Sequence, residues 1–202
     1  MSVTQYDKVS IRLMSNGHAF STASDNSGVD KSLQIADVLK RGVVAEVMLC
    51  TPKTMLVPAE QLATLSLEEH LAIAALAPTE SERVVVSDEV SGIVAVMAVD
   101  AHHIDSLEAC GAELHYTTPL LNGNIMDGCV VALYDNLLYV RVADGGLRFA
   151  DVVEVATDAD ILYFLGAIDR VYHIYNIGAR VAGDTSRLKT LCKSLFRKRL
   201  CE

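Results

Sequence analysis

Residues 181–185 read VAGDT and contain side chains and a glycine that could contact an anion. The segment connects a predicted strand to a predicted helix, and the free backbone N–H groups at a helix start attract negative charge. The alternative, which we favour, is that Asp184 or Thr185 caps the helix while Gly183 eases the turn. Gly183, Asp184 and Thr185 are therefore candidate ligand contacts with a competing structural explanation.

A second group of residues has the side-chain types of a zinc site. His102, His103, Cys110 and His115 lie within a short stretch of the chain. Adjacent histidines on a helix, however, point about 100° apart, and no second pair has the spacing that zinc ligands show. The sequence therefore predicts no metal site here.

Two carboxylate pairs could in principle serve as general acid and base. Asp88 and Glu89 lie in a predicted turn, and Asp158 and Asp160 lie in the predicted first turn of a helix. Solvation and helix capping explain these positions better than acid–base chemistry. The chain also contains no GxSxG, HExxH or GxxxxGK[ST] motif, so it has neither the usual nucleophile elbow nor a Walker loop. We expect no catalytic residue.

The elements that would position the candidate residues are clearest in the C-terminal half. The runs GCVVALYD, LLYVRVAD and LRFADVVEV are separated by turn residues at 135–136 and 144–146, which predicts an antiparallel meander. Thr157 or Asp158 then suits the N-cap of an amphipathic helix. A strand over 177–182 and a last helix complete the order β-β-β-α-β-α.

The N-terminal half also alternates between strand-like and helix-like segments. Antiparallel strands come first and an α/β unit follows, so residues 1–117 and 118–202 are predicted to form two halves of similar architecture without a residue-level repeat. The predicted elements are a hairpin over 8–14 and 18–23, a helix over 32–39, strands over 43–50 and 54–57, a helix over 61–76, antiparallel strands over 83–86 and 93–99, a helix from Asp100 to Cys110, a strand over 112–116 and a short helical piece from Thr118.

Composition and charge narrow the function classes. The chain has 202 residues, of which 51% are hydrophobic, and no apolar run is long enough for a membrane span. The net charge of −9 argues against broad nucleic-acid binding, although residues 181–202 hold six basic and two acidic side chains. The five scattered cysteines predict reduced, mostly packed thiols. We expect a cytoplasmic protein without a membrane span.

Three segments carry a resemblance to known proteins, and together with their order they extend it to essentially the whole chain. They are KVSIRLMSNGHAFS at 8–21, TPKTMLVPAEQL at 51–62 and ATDADILYFLGAIDRVYHIYNIGARVAGD at 156–184. The chain resembles domain-of-unknown-function family 3822, small bacterial proteins with a reduced actin-like ATPase fold. The segment HIDSLEACGAELHYTTPLL also looks like the crossover in the actin-like scaffolds of pilus assembly and type II secretion. The resemblance implies an α/β (α+β) protein with tandem ribonuclease-H-like halves.

In actin-like ATPases the first hairpin of each half carries a phosphate loop with acidic, glycine and hydroxyl residues. Here the first hairpin turn, Ser15-Asn16-Gly17, has no acid at the strand end. The second has Asp135, but Leu137 and Leu138 follow where a polar cradle would be needed. Asp135 thus joins Gly183, Asp184 and Thr185 as a candidate remnant, and no bound cofactor is expected.

The expected function is a non-catalytic actin-like interaction or scaffold module that binds a protein partner or a second copy of itself. The alternative is a weak nucleotide-binding protein or ATPase that uses the cleft between the halves. A third hypothesis is that the basic C-terminal helix docks on RNA or on an acidic protein, although a solvated helix face explains those charges adequately.

Overall fold

The structure, a computed structural model, describes residues 8–14, 17–22, 39, 42–122, 128–193, 195–196 and 200–201. The predicted helix over 32–39 lies outside these residues, apart from the buried Leu39. Contacts divide the chain into two compact units, Met1–Thr118 and Pro119–Glu202. In the described part of the chain, no helix is both long enough and apolar enough to cross a membrane.

The first unit contains a mixed sheet of four strands in the order β2-β1-β3-β7. β2 is antiparallel to β1, whereas β3 is parallel to both β1 and β7. Alternate residues of β3 are buried, as expected for a strand with one face against a core. The strand bounds are Lys8–Met14 for β1, Gly17–Thr22 for β2, Val44–Leu49 for β3 and Glu113–Thr117 for β7.

Between β3 and β7 the chain forms a second, antiparallel sheet of three strands in the order β4-β6-β5. Helix α1 packs on this sheet, with fully buried Leu71 meeting Val94 and Val96 in one cluster. The sequence predicted the strands but not that they form a sheet of their own. The bounds are Thr54–Pro58 for β4, Leu67–Ile73 for α1, Glu82–Val86 for β5, Ile93–Asp100 for β6 and Ala101–Glu108 for helix α2.

Two helices predicted in this region are corrected by the structure. The predicted helix over 61–76 is instead a 3₁₀ helix, Ala59–Thr64, followed by α1. The break occurs because the Ser66 hydroxyl accepts a hydrogen bond from Glu69 N while the Glu69 carboxylate accepts one from Ser66 N, a capping box that begins a new helix. The helical piece predicted from Thr118 is only a turn.

The second unit is built on a five-stranded sheet in the order β10-β9-β8-β11-β12. β8, β9 and β10 form the predicted antiparallel meander, and β11 runs parallel to both β8 and β12. The two-residue β12 was not predicted. The bounds are Gly128–Tyr134 for β8, Leu137–Ala143 for β9, Leu147–Glu154 for β10, Asp158–Tyr172 for helix α3, Ala179–Gly183 for β11, Thr185–Cys192 for helix α4 and Leu200–Cys201 for β12.

The core of the second unit lies between this sheet and its two helices. Alternate residues of β8 and β9 pack against Ile161 and Leu165 of α3 and Leu188 of α4. Cys129 and Cys192 belong to this core, and burial raises the pKa of their thiols to about 12 and about 11. Both are free thiols, as the sequence predicted.

Candidate functional site

The structure brings all four candidate residues to one edge of the second sheet. β8 and β11 are parallel neighbours, so their carboxyl ends meet there, and Gly183 lies opposite Leu133. The backbone N–H of Asp184 donates to the Leu133 carbonyl at 2.8 Å, two residues before Asp135. The carboxyl ends of adjacent parallel strands are where open α/β sheets bind ligands. The sequence-predicted candidates therefore lie close together in the fold.

Gly183 has a structural reason to be glycine. Its φ of +75° lies in the left-handed region, and a Cβ added there would collide with the backbone carbonyl of Leu133. Only a residue without a side chain allows β11 to approach β8 this closely at the turn into α4. The glycine is thus accounted for by packing.

Asp184 caps α4, as one of the two sequence interpretations predicted. Its Oδ1 accepts a hydrogen bond from Arg187 N at 3.1 Å, and Thr185 is the first residue of the helix. The Arg187 side chain in turn reaches Asp158 at the start of α3, with Nη2 2.6 Å from Oδ1. The α4 start therefore already holds a carboxylate of its own chain, which is the charge an anionic ligand would supply.

The start of α3 at the same edge is capped by a hydroxyl, because Thr157 Oγ1 accepts a hydrogen bond from Asp160 N at 3.3 Å. Thr157 and Asp160 form a capping box, and Asp160 Oδ2 accepts hydrogen bonds from Thr157 N at 2.7 Å and Ala156 N at 3.0 Å. These bonds, with that to the Thr157 hydroxyl, lower the pKa of Asp160. The acidic pair Asp158 and Asp160 thus serves an ion pair and a cap.

Asp135 lies at the tip of a tight turn and is exposed, with a φ of +53°. The turn is held down by a hydrogen bond from Val155 N to the Asn136 carbonyl at 2.8 Å. Leu137 and Leu138 turn into the protein and are 4% and 0% exposed. The turn offers one carboxylate and no neighbouring glycine or hydroxyl. The corresponding first-hairpin residues Ser15 and Asn16 lie outside the described residues.

Two of the residues with the side-chain types of a zinc site, Cys110 and His115, make other contacts in the structure. The Cys110 thiol is directed at the Ser106 carbonyl at 3.3 Å. His115 Nδ1 is 2.8 Å from Asp88 Oδ2, and its Nε2 is 3.3 Å from Glu113 Oε1. Across the residues that the structure describes, no three His, Cys, Asp or Glu side chains have a metal-binding arrangement.

The two carboxylates beside His115 have a measurable consequence. The hydrogen bond to Asp88, supported by that to Glu113, raises the pKa of His115 above its ordinary value of 6.5. The ion pair is therefore fully present below that value and is lost as the pH rises through the raised pKa. We expect an NMR titration to show Asp88→Asn lowering this pKa more than Glu113→Gln does. An unchanged pKa in Asp88→Asn would contradict the contact.

Sequence reasoning missed a cavity of about 270 Å³ in the first unit. It lies at the carboxyl ends of β1 and β3, and its polar side chains include Glu82, Asp100 and His103. His103 was considered only as a zinc ligand and Asp100 only as a helix cap. One signal in the sequence pointed to this cavity. Asp100 is the N-cap of α2 and His103 lies in the first turn of that helix, so the two residues lie close together.

A larger cavity of about 550 Å³ lies at the opposite, amino-terminal edge of the β8–β11 pair. Gly128, Asp144, Arg148, Tyr172 and Gly178 contribute to its lining. Arg148 Nε donates to the Asp144 carbonyl at 3.1 Å, so the loop after β9 partly satisfies this cation. None of the four candidate residues lines this cavity.

Comparison with solved structures decides the fold. A Bacteroides thetaiotaomicron protein with actin-like ATPase fold and unknown function superposes with a TM-score of 0.65 at 18% identity, covering 97% of this chain and 90% of that one. The fold is that of an actin-like ATPase. The cytoplasmic domain of EpsL, an inner membrane component of the type II secretion system of Vibrio cholerae, gives a TM-score of 0.50 at 18% identity, covering 87% of this chain and 81% of that one.

No family model matches the sequence, and no curated protein matches it. The actin-like fold confirms the predicted architecture of tandem ribonuclease-H-like halves. In the second half, the antiparallel meander followed by α3, parallel β11, α4 and β12 forms one continuous sheet. In the first half, the β4-β6-β5 sheet is inserted along the chain between β3 and β7, and those two strands pair directly with each other.

Proposed function

We propose that the protein is a non-catalytic actin-like module that serves as an interaction scaffold. The observation that carries this proposal is the occupation of both helix starts at the β8–β11 edge by side chains of the same chain. At the α4 start Asp184 accepts from Arg187 N, and at the α3 start the Thr157 hydroxyl accepts from Asp160 N, so side chains of this chain take hydrogen bonds that a bound phosphate could otherwise receive. A triphosphate approaching this edge would also meet the charge of Asp135 without a compensating cradle.

The test is isothermal titration of the full chain with ATP in the presence of Mg²⁺. We expect no saturable heat at micromolar ATP, because Asp158, Asp160 and Asp184 place negative charge at both helix starts and would repel the added phosphates. The control is EDTA in place of Mg²⁺, which should change nothing. Micromolar affinity that depends on Mg²⁺ would overturn the proposal.

A nucleotide-binding function is the second candidate, and one observation favours it. Asp135 and residues 183–185 share the carboxyl edge of β8 and β11, the part of such sheets where ligands bind. If ATP does bind, Asp135→Ala should abolish the affinity, whereas Asp144→Ala, in the next hairpin turn, should leave it intact. Equal affinity in both variants would exclude a site at Asp135.

Charge indicates the chemistry of a partner. Residues 51–112 contain ten acidic residues and two basic ones, Lys53 and Arg83. Lys53 pairs with Glu82 at 2.6 Å, and Arg83 pairs with Glu108 at 2.7 Å. The surface of this inserted segment is thus rich in uncompensated carboxylates, which favours a basic partner surface. Association should weaken as salt is added.

Family membership and location belong to the same proposal. We infer that the chain is a bacterial, cytoplasmic member of domain-of-unknown-function family 3822, on the strength of the three segments that resemble it. The thiols of Cys110, Cys129 and Cys192, which form no disulfide, suit a reducing compartment. The likeness to the cytoplasmic domain of a secretion-system component suits an interaction role and a protein partner or a second copy.

A further inference from the structure

The cavity of the first unit has the position of a ligand site. Leu13 and Met14 at the end of β1 and Cys50 and Thr51 after β3 form one side of it. The two strands are parallel neighbours, and Cys50 N donates to the Leu13 carbonyl at 2.9 Å. At about 270 Å³ the cavity is smaller than most drug-sized pockets, so it would hold only a small molecule.

Each of its two carboxylates uses only one oxygen within the protein. Glu82 Oε2 accepts hydrogen bonds from Lys53 Nζ at 2.6 Å and Thr79 N at 2.7 Å, and Asp100 Oδ1 accepts from His102 N at 2.9 Å. Glu82 Oε1 and Asp100 Oδ2 have no hydrogen-bond partner among the described residues. The half-buried His103 ring likewise makes no hydrogen bond to a described residue. Three polar groups thus remain available beside the cavity.

The remaining charge is negative. Lys53 neutralises Glu82, whereas Asp100, which caps α2 through Oδ1, has no ion-pair partner among the described residues. The other cation between residues 51 and 112, Arg83, pairs with Asp105 and Glu108. The described residues that line the cavity include no lysine or arginine to neutralise an anionic ligand, whereas a cation would meet Asp100 and a hydrogen-bond acceptor on His103.

The rest of the lining is apolar. Its carbon surface comes from Met14, Pro52, Ala98 and Val99. The Thr51 hydroxyl is already used, because it donates a hydrogen bond to the Ala98 carbonyl at 2.8 Å. This surface would bury the hydrocarbon part of a ligand. A bare metal ion is a poor match, since no metal-binding group of three occurs among the described residues.

We propose that this cavity binds a small organic cation, with its ammonium group between Asp100 and His103 and its hydrocarbon chain against Met14, Pro52 and Val99. This site is separate from the β8–β11 edge. If no organic cation binds in the cavity, the scaffold proposal is unaffected. Nucleotide binding at Asp135 would likewise not produce cation binding in the cavity.

Three probes with one hydrocarbon chain test the charge requirement: butylammonium, n-butanol and butyrate. We expect butylammonium to shift the imidazole NMR signals of His103 saturably, n-butanol to do so more weakly and butyrate not at all. The His103 signals are assigned by their loss in His103→Gln. An equal response to all three probes, or a shift with butyrate alone, would overturn the proposal, as would no response to butylammonium.

Two variants separate charge from folding. Asp100→Asn keeps a good helix N-cap and removes the carboxylate charge, so the α2 start should persist while butylammonium binds about five- to tenfold more weakly. Asp105→Asn removes an exposed carboxylate of the same helix, one that pairs with Arg83 and does not line the cavity, and should leave the affinity unchanged. An undiminished affinity in Asp100→Asn would contradict the proposed ion pair.

Discussion

Gly183→Ala is expected to lower the free energy of unfolding of the second unit by about 2–5 kcal/mol. About 1–2 kcal/mol comes from holding a residue with a side chain at a left-handed φ, and about 1–3 kcal/mol from overpacking against the Leu133 backbone. The clash involves a strand carbonyl in the β8–β11 ladder, so it cannot be relieved by rotating a side chain. Chemical denaturation followed by circular dichroism measures the loss.

Gly145→Ala is the matched control in the same unit. Gly145 has a similar left-handed φ of +62°, but a Cβ built there meets no atom within 4 Å. Gly145→Ala should therefore lower the free energy of unfolding only by the cost of the left-handed backbone conformation, about 1–2 kcal/mol. If both variants lose the same stability, β11 does not approach β8 as closely as the structure shows, and Gly183 becomes available for a ligand-binding role.

Leu165→Ala is expected to destabilise the second unit by about 2–5 kcal/mol, the range for emptying a buried leucine site. Leu165 is 0% exposed and packs in the cluster that joins α3 to β8 and β9. The substitution would leave a cavity between helix α3 and strands β8 and β9. Denaturant unfolding of the full chain again gives the measurement.

Leu162→Ala on the same helix supplies the comparison. Leu162 is 38% exposed, so its truncation removes less buried surface than that of Leu165 and should cost about 1–2 kcal/mol. Both variants make the same chemical change in the same helix, so helix propensity cancels between them. Similar losses would show that the buried face of α3 is assigned incorrectly.

The two capped helix starts matter for function because the N–H groups at a helix start can bind either a side chain of the same protein or an external anion. Asp160 lies two residues after Asp158, whose charge is taken up by Arg187 of the neighbouring helix. The edge at which an actin-like protein could hold phosphate is therefore satisfied internally. This arrangement stabilises the second unit and is in keeping with the proposed scaffold role.

Local structure of the second unit could be predicted from the sequence because its signals are short-range. The turns at 135–136 and 144–146 mark the meander, and hydroxyl and carboxylate residues at Thr157 and Asp184 mark the two helix starts. Each of these features depends on side chains within a few residues of each other. The order of such elements predicted two halves of similar architecture, and the resemblance to known proteins implied that these form an actin-like fold.

Long-range pairing was decided only by the tertiary structure. Residue patterns do not say that β3 pairs in parallel with β1 while β4, β5 and β6 form a separate sheet, because either pairing buries the same alternating faces. β12 spans two residues, too few for any periodicity. The contact of Gly183 with Leu133, about 50 residues away in the chain, depends on the same pairing.

The cavity of the first unit also depends on long-range strand pairing. Glu82 and His103 are separated by strand β6, and they meet Met14 only because β1 and β3 bring their carboxyl ends together beneath the inserted sheet. The sequence alone determined which residues can cap, turn or alternate. The tertiary structure decided which of them face one another, since side chains distant in the chain become neighbours only through strand register and helix packing.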